Sequence, residues 1–202
     1  MEKEKKIQER TIVNRKKILD SARQLFNEKG FYHTNTKEIA KEADVATGSF
    51  YNYFPDKLSI FQEIMIMHLE RNYDDLCELT KKLNENPHRA KATIINYVHT
   101  GMDHAYENRV MFQDFDSILQ ANPQLGEIIG VFYNKIMTEI YDFCKDSPHI
   151  IKRTANPLVM SRMAYFIIQG TSELMSKLLE DADKREYEEQ LAQITCWYLF
   201  GY

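Results

Sequence analysis

Apolar residues recur at helical spacing along nearly the whole chain. Ile18, Leu19, Ala22, Leu25 and Phe26 make one stripe, which predicts a first helix over residues 12–29. Gly30 follows as a C′ glycine, and Phe31 can pack back on the last turn. Asn35 with Glu38 three residues later is a capping box and opens a second, short helix of about two turns, to Ala43. Asp44 stands where the chain must turn, and Val45 is the apolar residue that fastens the turn to the core. A third helix is expected from Ala46 or Thr47 to Phe54, because Pro55 cannot continue it. Ile39, Ala40, Val45, Phe50 and Phe54 form the inner face. Two short helices joined by a tight turn are a helix-turn-helix.

Beyond Pro55 the period continues. Asp56 caps a fourth helix, and Leu58, Phe61, Ile64, Met65, Leu69, Tyr73, Leu76, Leu79 and Leu83 carry it to residue 83. The Asn84-Glu85-Asn86-Pro87-His88 turn is the clearest break. Further helices are predicted over 89–107, 110–121, 124–145, 157–180 and 187–200. The fold class is therefore all-α. Residues 1–10 are charged without periodicity and read as a mobile arm. Residues 11–70 form the helix-turn-helix domain and 71–202 a helical body, with the fourth helix linking the two.

The outer face of the third helix is unusual. Thr47, Gly48, Ser49, Tyr51, Asn52 and Tyr53 are small or bear hydroxyl and amide groups, and none is charged. A solvated face normally carries Lys and Glu, whereas these groups suit hydrogen bonds to base edges and phosphates. Gly48 weakens the helix by about 1 kcal/mol relative to Ala, which fits a close approach to the backbone. The plainer alternative is a polar surface helix of an all-α protein. The run Ile39-Ala40 … Ala43-Asp44-Val45-Ala46-Thr47-Gly48-Ser49-Phe50-Tyr51-Asn52-Tyr53-Phe54-Pro55-Asp56-Lys57 resembles the DNA-binding motif of the TetR family of bacterial repressors. Ala22-Arg23-Gln24-Leu25-Phe26 … Gly30-Phe31 is similar to that family's first helix. Asp44 departs from the pattern, where the family most often has Gly in the turn. Asp tolerates the left-handed conformation better than most residues.

The resemblance implies a homodimer that binds a palindromic DNA operator and is released by a small molecule held in the body. Within the motif, Thr47, Gly48 and Tyr51 are expected at base edges. Thr36, Lys37, Ser49, Asn52, Tyr53 and Lys57 are expected mainly on phosphates, Lys57 at an anion-binding helix start. Arg15, Lys16 and Lys17 are further candidates for phosphate.

Charge sharpens this reading. The net charge of −4 is unexpected for a DNA-binding chain. Residues 1–57, however, hold twelve Lys and Arg against nine Asp and Glu, a balance of +3. The remaining fourteen against twenty-one give −7. A basic head on an acidic body is expected if only the head meets phosphate.

In the body, Met102, Tyr106, Phe112, Phe115, Phe132, Met137 and Phe166 are candidates to line a pocket for an apolar or amphipathic effector. Taken singly, each is equally a core residue. Met163, Ile167, Gly170, Leu174, Leu191, Ile194 and Tyr198 belong to the last two helices, whose apolar positions exceed one packing face. An intermolecular four-helix bundle would use the excess.

Other chemistries find little support. No phosphate-binding glycine loop, GxSxG or HExxH is present, so no enzyme is expected. Glu85-Asn86-Pro87-His88 has di-iron spacing but is broken by its proline, and His99 and His104 do not share a helical face well. Cys77, Cys144 and Cys196 are few and far apart, which fits a reducing cytoplasm and no metal or other cofactor. The N-terminus lacks the apolar core of a signal peptide. The runner-up reading is a helical ligand-binding or interaction protein with a vestigial helix-turn-helix.

Overall fold

The computed structural model describes residues 2–151, 156–172 and 184–201. Among these residues every regular element is helical, so the all-α expectation holds. No described helix is long and apolar enough to cross a membrane. The chain divides into two compact units, Met1–His68 with Asn108–Gly126, and Leu69–Glu107 with Glu127–Tyr202. The stretch Asn108–Gly126, expected within the body, thus groups with the helix-turn-helix.

In the first unit, α1 (Glu2–Lys29) starts well before residue 12, so the stretch read as an arm continues the helix. Glu, Lys and Gln are strong helix formers, and they hold a helix without an apolar stripe to reveal it. Next come α2 (Thr36–Glu42), α3 (Thr47–Phe50) and the start of α4 (Lys57–Glu85). Ile18, Ala22, Phe26, Ile39, Ala40, Phe50, Ile60 and Phe61 are fully buried. Phe31 packs back as expected, with its ring 5.6 Å from Phe26 and 5.2 Å from Phe61. Burying each such side chain contributes about 1.5–3 kcal/mol. Val45 is only half-buried.

The helix predicted over 110–121 is two helices, α6 (Arg109–Phe112) and α7 (Phe115–Ala121). The break at Gln113 and Asp114 has a structural use. Gly30 ends α1 with φ +82°, and a Cβ there would lie 2.8 Å from Gln113 Nε2 and 3.1 Å from Asp114 Oδ2. Only glycine both takes that φ without strain and leaves room for this approach. Tyr32 and Ser117 hydroxyls, 2.9 Å apart, and the Asn27–Asn108 amide pair at 3.1 Å tie the same segments.

The second unit holds the remainder of α4, α5 (Ala90–Glu107) and most of α8 (Pro123–Asp146). It also holds α9 (Pro157–Tyr165), a π-helical turn (Phe166–Gly170) and α10 (Lys184–Phe200). Pro157 opens α9 as expected, and the Asn156 side chain accepts from Leu158 N at 2.9 Å. The rest of the helix expected over 157–180 lies outside the described residues after position 172. The core joins Leu83 of α4, Ile94 and Val98 of α5, Phe143 of α8, Met160 of α9 and Cys196 and Phe200 of α10. Burial pushes the Cys144 and Cys196 thiols up to about 11, so neither is a ready nucleophile.

Candidate nucleic-acid interface

Backbone geometry fixes the motif before any side chain is considered. The Asn35 side chain accepts from Glu38 N at 3.0 Å, and Glu38 Oε2 accepts from Asn35 N at 3.1 Å, the expected capping box. Lys29 Nζ reaches the same Oε2 at 2.8 Å, and this hydrogen bond holds the Glu38 carboxyl below its usual range. Asp44 sits at φ +54°, in the left-handed region expected of the turn. Val45 N then donates to Ala40 O at 2.9 Å, which closes the turn against α2.

The third helix is shorter than its apolar pattern indicated. α3 ends at Phe50, not Phe54, and the chain continues through a tighter turn. Asn52 N donates to Ser49 O and Tyr53 N to Phe50 O, both bonds to the residue three back. Pro55 disfavours helix in the residue before it, and Gly48, Asn52 and Tyr53 add little helix propensity to resist that. Buried Phe50 and Phe54 anchor the segment at both ends. The outward set survives the change: Thr47, Gly48, Ser49, Tyr51 and Asn52 are all exposed. No atom lies within 4 Å of a Cβ built on Gly48, so the backbone there is open to a ligand.

The other expected contact residues separate into two groups. Lys37 is exposed, and Thr36 Oγ1 lies 3.1 Å from Tyr51 Oη, linking α2 to the outward face. Tyr53 and Lys57 point elsewhere. Tyr53 is half-buried, its hydroxyl accepting from Asn14 Nδ2 and its carbonyl from Arg15 Nη1, each at 3.0 Å. Lys57 Nζ turns inward, donating to Phe31 O at 2.8 Å and Thr34 O at 3.0 Å, with the Phe31 ring 4.3 Å away. Burial lowers its ammonium pKa, and the nearby Asp114 carboxylate opposes that shift. This lysine ties the chain between α1 and α2 to the start of α4, in place of the phosphate contact expected of it.

Arg15 is likewise structural. It pairs with Glu63, donates to Tyr53 O and lies 4.3 Å from the Phe54 ring. Lys16 and Lys17 beside it remain exposed. Nothing in the sequence distinguishes Arg15 from its two neighbours, because its three partners lie 38 to 48 positions away or come from a different helix.

The seven residues expected to line a pocket fall in both units. Phe112 and Phe115 belong to the first, their rings 6.3 Å apart and Phe112 5.0 Å from the His68 ring. Met102, Tyr106, Phe132, Met137 and Phe166 belong to the second. There Met102 and Phe132 are buried, Tyr106 and Met137 half-buried, and Phe166 is 60 % exposed. Among the expected interface residues, Met163, Gly170 and Ile194 are exposed, and Ile167 and Tyr198 are half-buried. Leu191 is buried in the core with α5, and Leu174 lies outside the described residues. Leu158, Val159 and Trp197 extend the exposed apolar set.

A capped helix, a left-handed turn and an outward uncharged helix define a helix-turn-helix protein of the transcription-regulator class. Residues 18–64 match the model for bacterial regulatory proteins of the tetR family. The chain is 31 % identical over 136 residues to the HTH-type transcriptional regulator YvkB of Bacillus subtilis, covering 61 % of this chain and 67 % of that one. Two other curated Bacillus subtilis regulators are matched over about half of their own length, 52 % and 47 %. A TetR-family regulator from Mesorhizobium loti has the same fold, with TM-score 0.74, 16 % identity and coverage of 93 % of this chain and 95 % of that one. FadR of Thermus thermophilus, a TetR-family repressor solved with lauroyl-CoA, has TM-score 0.56, 18 % identity and coverage of 90 % and 92 %. The chain belongs to the TetR family.

Proposed function

We propose that this chain is a cytoplasmic, sequence-specific DNA-binding repressor that acts as a homodimer and leaves its operator when a small apolar or amphipathic ligand binds. The observation that carries the reading is the outward face Thr47, Gly48, Ser49, Tyr51 and Asn52, exposed and uncharged on a motif whose turn is closed against α2. Thr47, Gly48 and Tyr51 meet base edges in the major groove, and Ser49 and Asn52 meet phosphate oxygens together with Thr36 and Lys37. Exposed Lys16 and Lys17 add charge beside them.

The exposed apolar residues of α9, the π-helical turn and α10 support a dimer. Met163, Phe166, Ile194 and Trp197 present large apolar surface that a monomer gains nothing by leaving in water. A twofold dimer reads a palindrome with half-sites a whole number of helical turns apart. Met102, Tyr106, Phe132 and Met137 support an apolar ligand in the second unit, a chemistry shared with the lauroyl-CoA held by the Thermus protein. The ligand acts by favouring a dimer conformation that fits DNA poorly, a coupling typically of about 1–3 kcal/mol.

The test is a gel shift on DNA flanking the gene, from about 50 to 200 mM salt with nonspecific competitor. The proposal expects a shift that survives competitor and an affinity that falls linearly on a log–log salt plot. Absence of any preferred fragment would favour the ligand-binding protein with a vestigial motif.

A further inference from the structure

The helix α1 begins well before the core beneath it. From Arg10 onward, Ile18 is its first fully buried residue, whereas Ile12 and Val13 are 68 % and 52 % exposed. Asn14 and Arg15 dock the helix on Tyr53, the amide donating to its hydroxyl and the guanidinium to its carbonyl, each at 3.0 Å. Tyr53 directly follows Asn52, the last of the outward residues. The helix therefore passes beside the recognition segment and runs on past it. Residues 2–11 add about 15 Å at 1.5 Å per residue.

Helical register gives this overhang a charged face. Lys3, Lys6, Arg10 and Lys17 stand three, four and seven residues apart. At 3.6 residues per turn they share an arc of about 60°. The acidic residues of the same stretch, Glu2, Glu4, Glu9 and Asp20, all fall outside that arc. Arg10 and Lys17 are exposed and make no ion pair among the described residues. Neighbouring cations on one helix face repel each other, and an anionic partner laid along the face relieves that repulsion. A duplex held by α3 supplies such a partner next to α1, with a phosphate charge about every 1.7 Å along its axis.

We propose that Lys3, Lys6, Arg10 and Lys17 form a second DNA-contacting face, a rail along α1 that follows the phosphate backbone beside the segment met by α3. The inference rests on the DNA-binding reading given above and adds to it a surface outside the helix-turn-helix. Phosphate contacts carry no base information, so the rail supplies affinity and salt dependence and leaves sequence preference to α3.

The experiment is fluorescence anisotropy of the full-length protein on a preferred and a scrambled duplex, from about 50 to 200 mM salt. Lys3→Gln/Lys6→Gln/Arg10→Gln should lower the slope of log affinity against log salt by about 2–3 units and weaken both duplexes by about tenfold or more. The ratio between the two duplexes should hold, and circular dichroism should show the variant folded. Two neighbours then separate the face from net charge. Lys6→Gln should lower the slope by about one unit, and Lys5→Gln, the same charge change outside the arc, should leave it in place. Arg10→Lys should keep the wild-type slope. A triple variant with the wild-type slope overturns the rail alone, as do equal losses for Lys5→Gln and Lys6→Gln. A wild-type protein that binds neither duplex overturns the rail and the DNA-binding reading together.

Discussion

Both units bury large apolar side chains at their centres, and the helix-turn-helix motif of the first and the last helices of the second differ in what they leave outside. The motif of the first unit exposes hydroxyls, an amide and a bare glycine along α3 and the turn that follows it. The second exposes Phe166, Ile194 and Trp197, large apolar groups beside a well-packed core. A polar surface with fixed geometry suits a polar partner read by hydrogen bonds. An apolar surface with little geometric demand suits burial against another apolar surface. On the proposed function, the contrast separates recognition from association within one chain, and it can be broken by substitution.

The largest effect is expected in the core of the first unit. Phe50→Ala should cost about 3–5 kcal/mol of stability and abolish DNA binding with it. Phe166→Ala, at an exposed position, should change folding by no more than about 0.5 kcal/mol. Chemical denaturation of both variants measures the difference, and equal losses would contradict the placement of Phe50 in a core and Phe166 on a surface. Next in size is Ile194→Glu, which should weaken dimerisation by about 2 kcal/mol or more while leaving the fold intact. Sedimentation resolves this, and an unchanged dimer would place the interface elsewhere.

Lys57→Ala is the third case. As a tie between Phe31 O, Thr34 O and α4, Lys57 should cost about 1–3 kcal/mol of stability when removed. The salt slope of DNA binding should not change, whereas a phosphate contact would flatten it by about one unit. The smallest effect is electrostatic. Hydrogen bonding to Lys29 lowers the folded-state pKa of Glu38, so its contribution is present above the unfolded value and lost as pH falls through the folded one. In Lys29→Ala the Glu38 titration, followed by NMR, should move back up toward its ordinary value.

Local features of the sequence translated directly into structure. The capping box at Asn35, the C′ glycine at Gly30 and the left-handed Asp44 depend on neighbours within a few residues, and each is found. The apolar stripes gave the helical core for the same reason. Features set by distant partners were not readable. Lys57 looked like a phosphate ligand because its acceptors, Phe31 O and Thr34 O, lie 26 and 23 positions away. The break between α6 and α7 answers to Gly30, some eighty positions earlier, and not to any local proline or glycine. The early end of α3 was not readable from apolar spacing: Phe50 and Phe54 suggested a continuous helix, but Gly48, Asn52 and Tyr53 contribute little helix propensity between them.

The central claim is that the outward residues of α3 and of the turn after it, Thr47 and Tyr51 among them, read sequence. It is tested most directly by competition fluorescence anisotropy, with operator and scrambled DNA at fixed salt, on wild type, Thr47→Ala, Tyr51→Phe and Tyr51→Ala. Thr47→Ala and Tyr51→Ala should each lower the specific-to-nonspecific ratio by about 1–3 kcal/mol while nonspecific affinity holds. Tyr51→Phe, which loses only the hydroxyl paired with Thr36, should fall between wild type and Tyr51→Ala. An operator preference that survives both alanine substitutions would contradict the account.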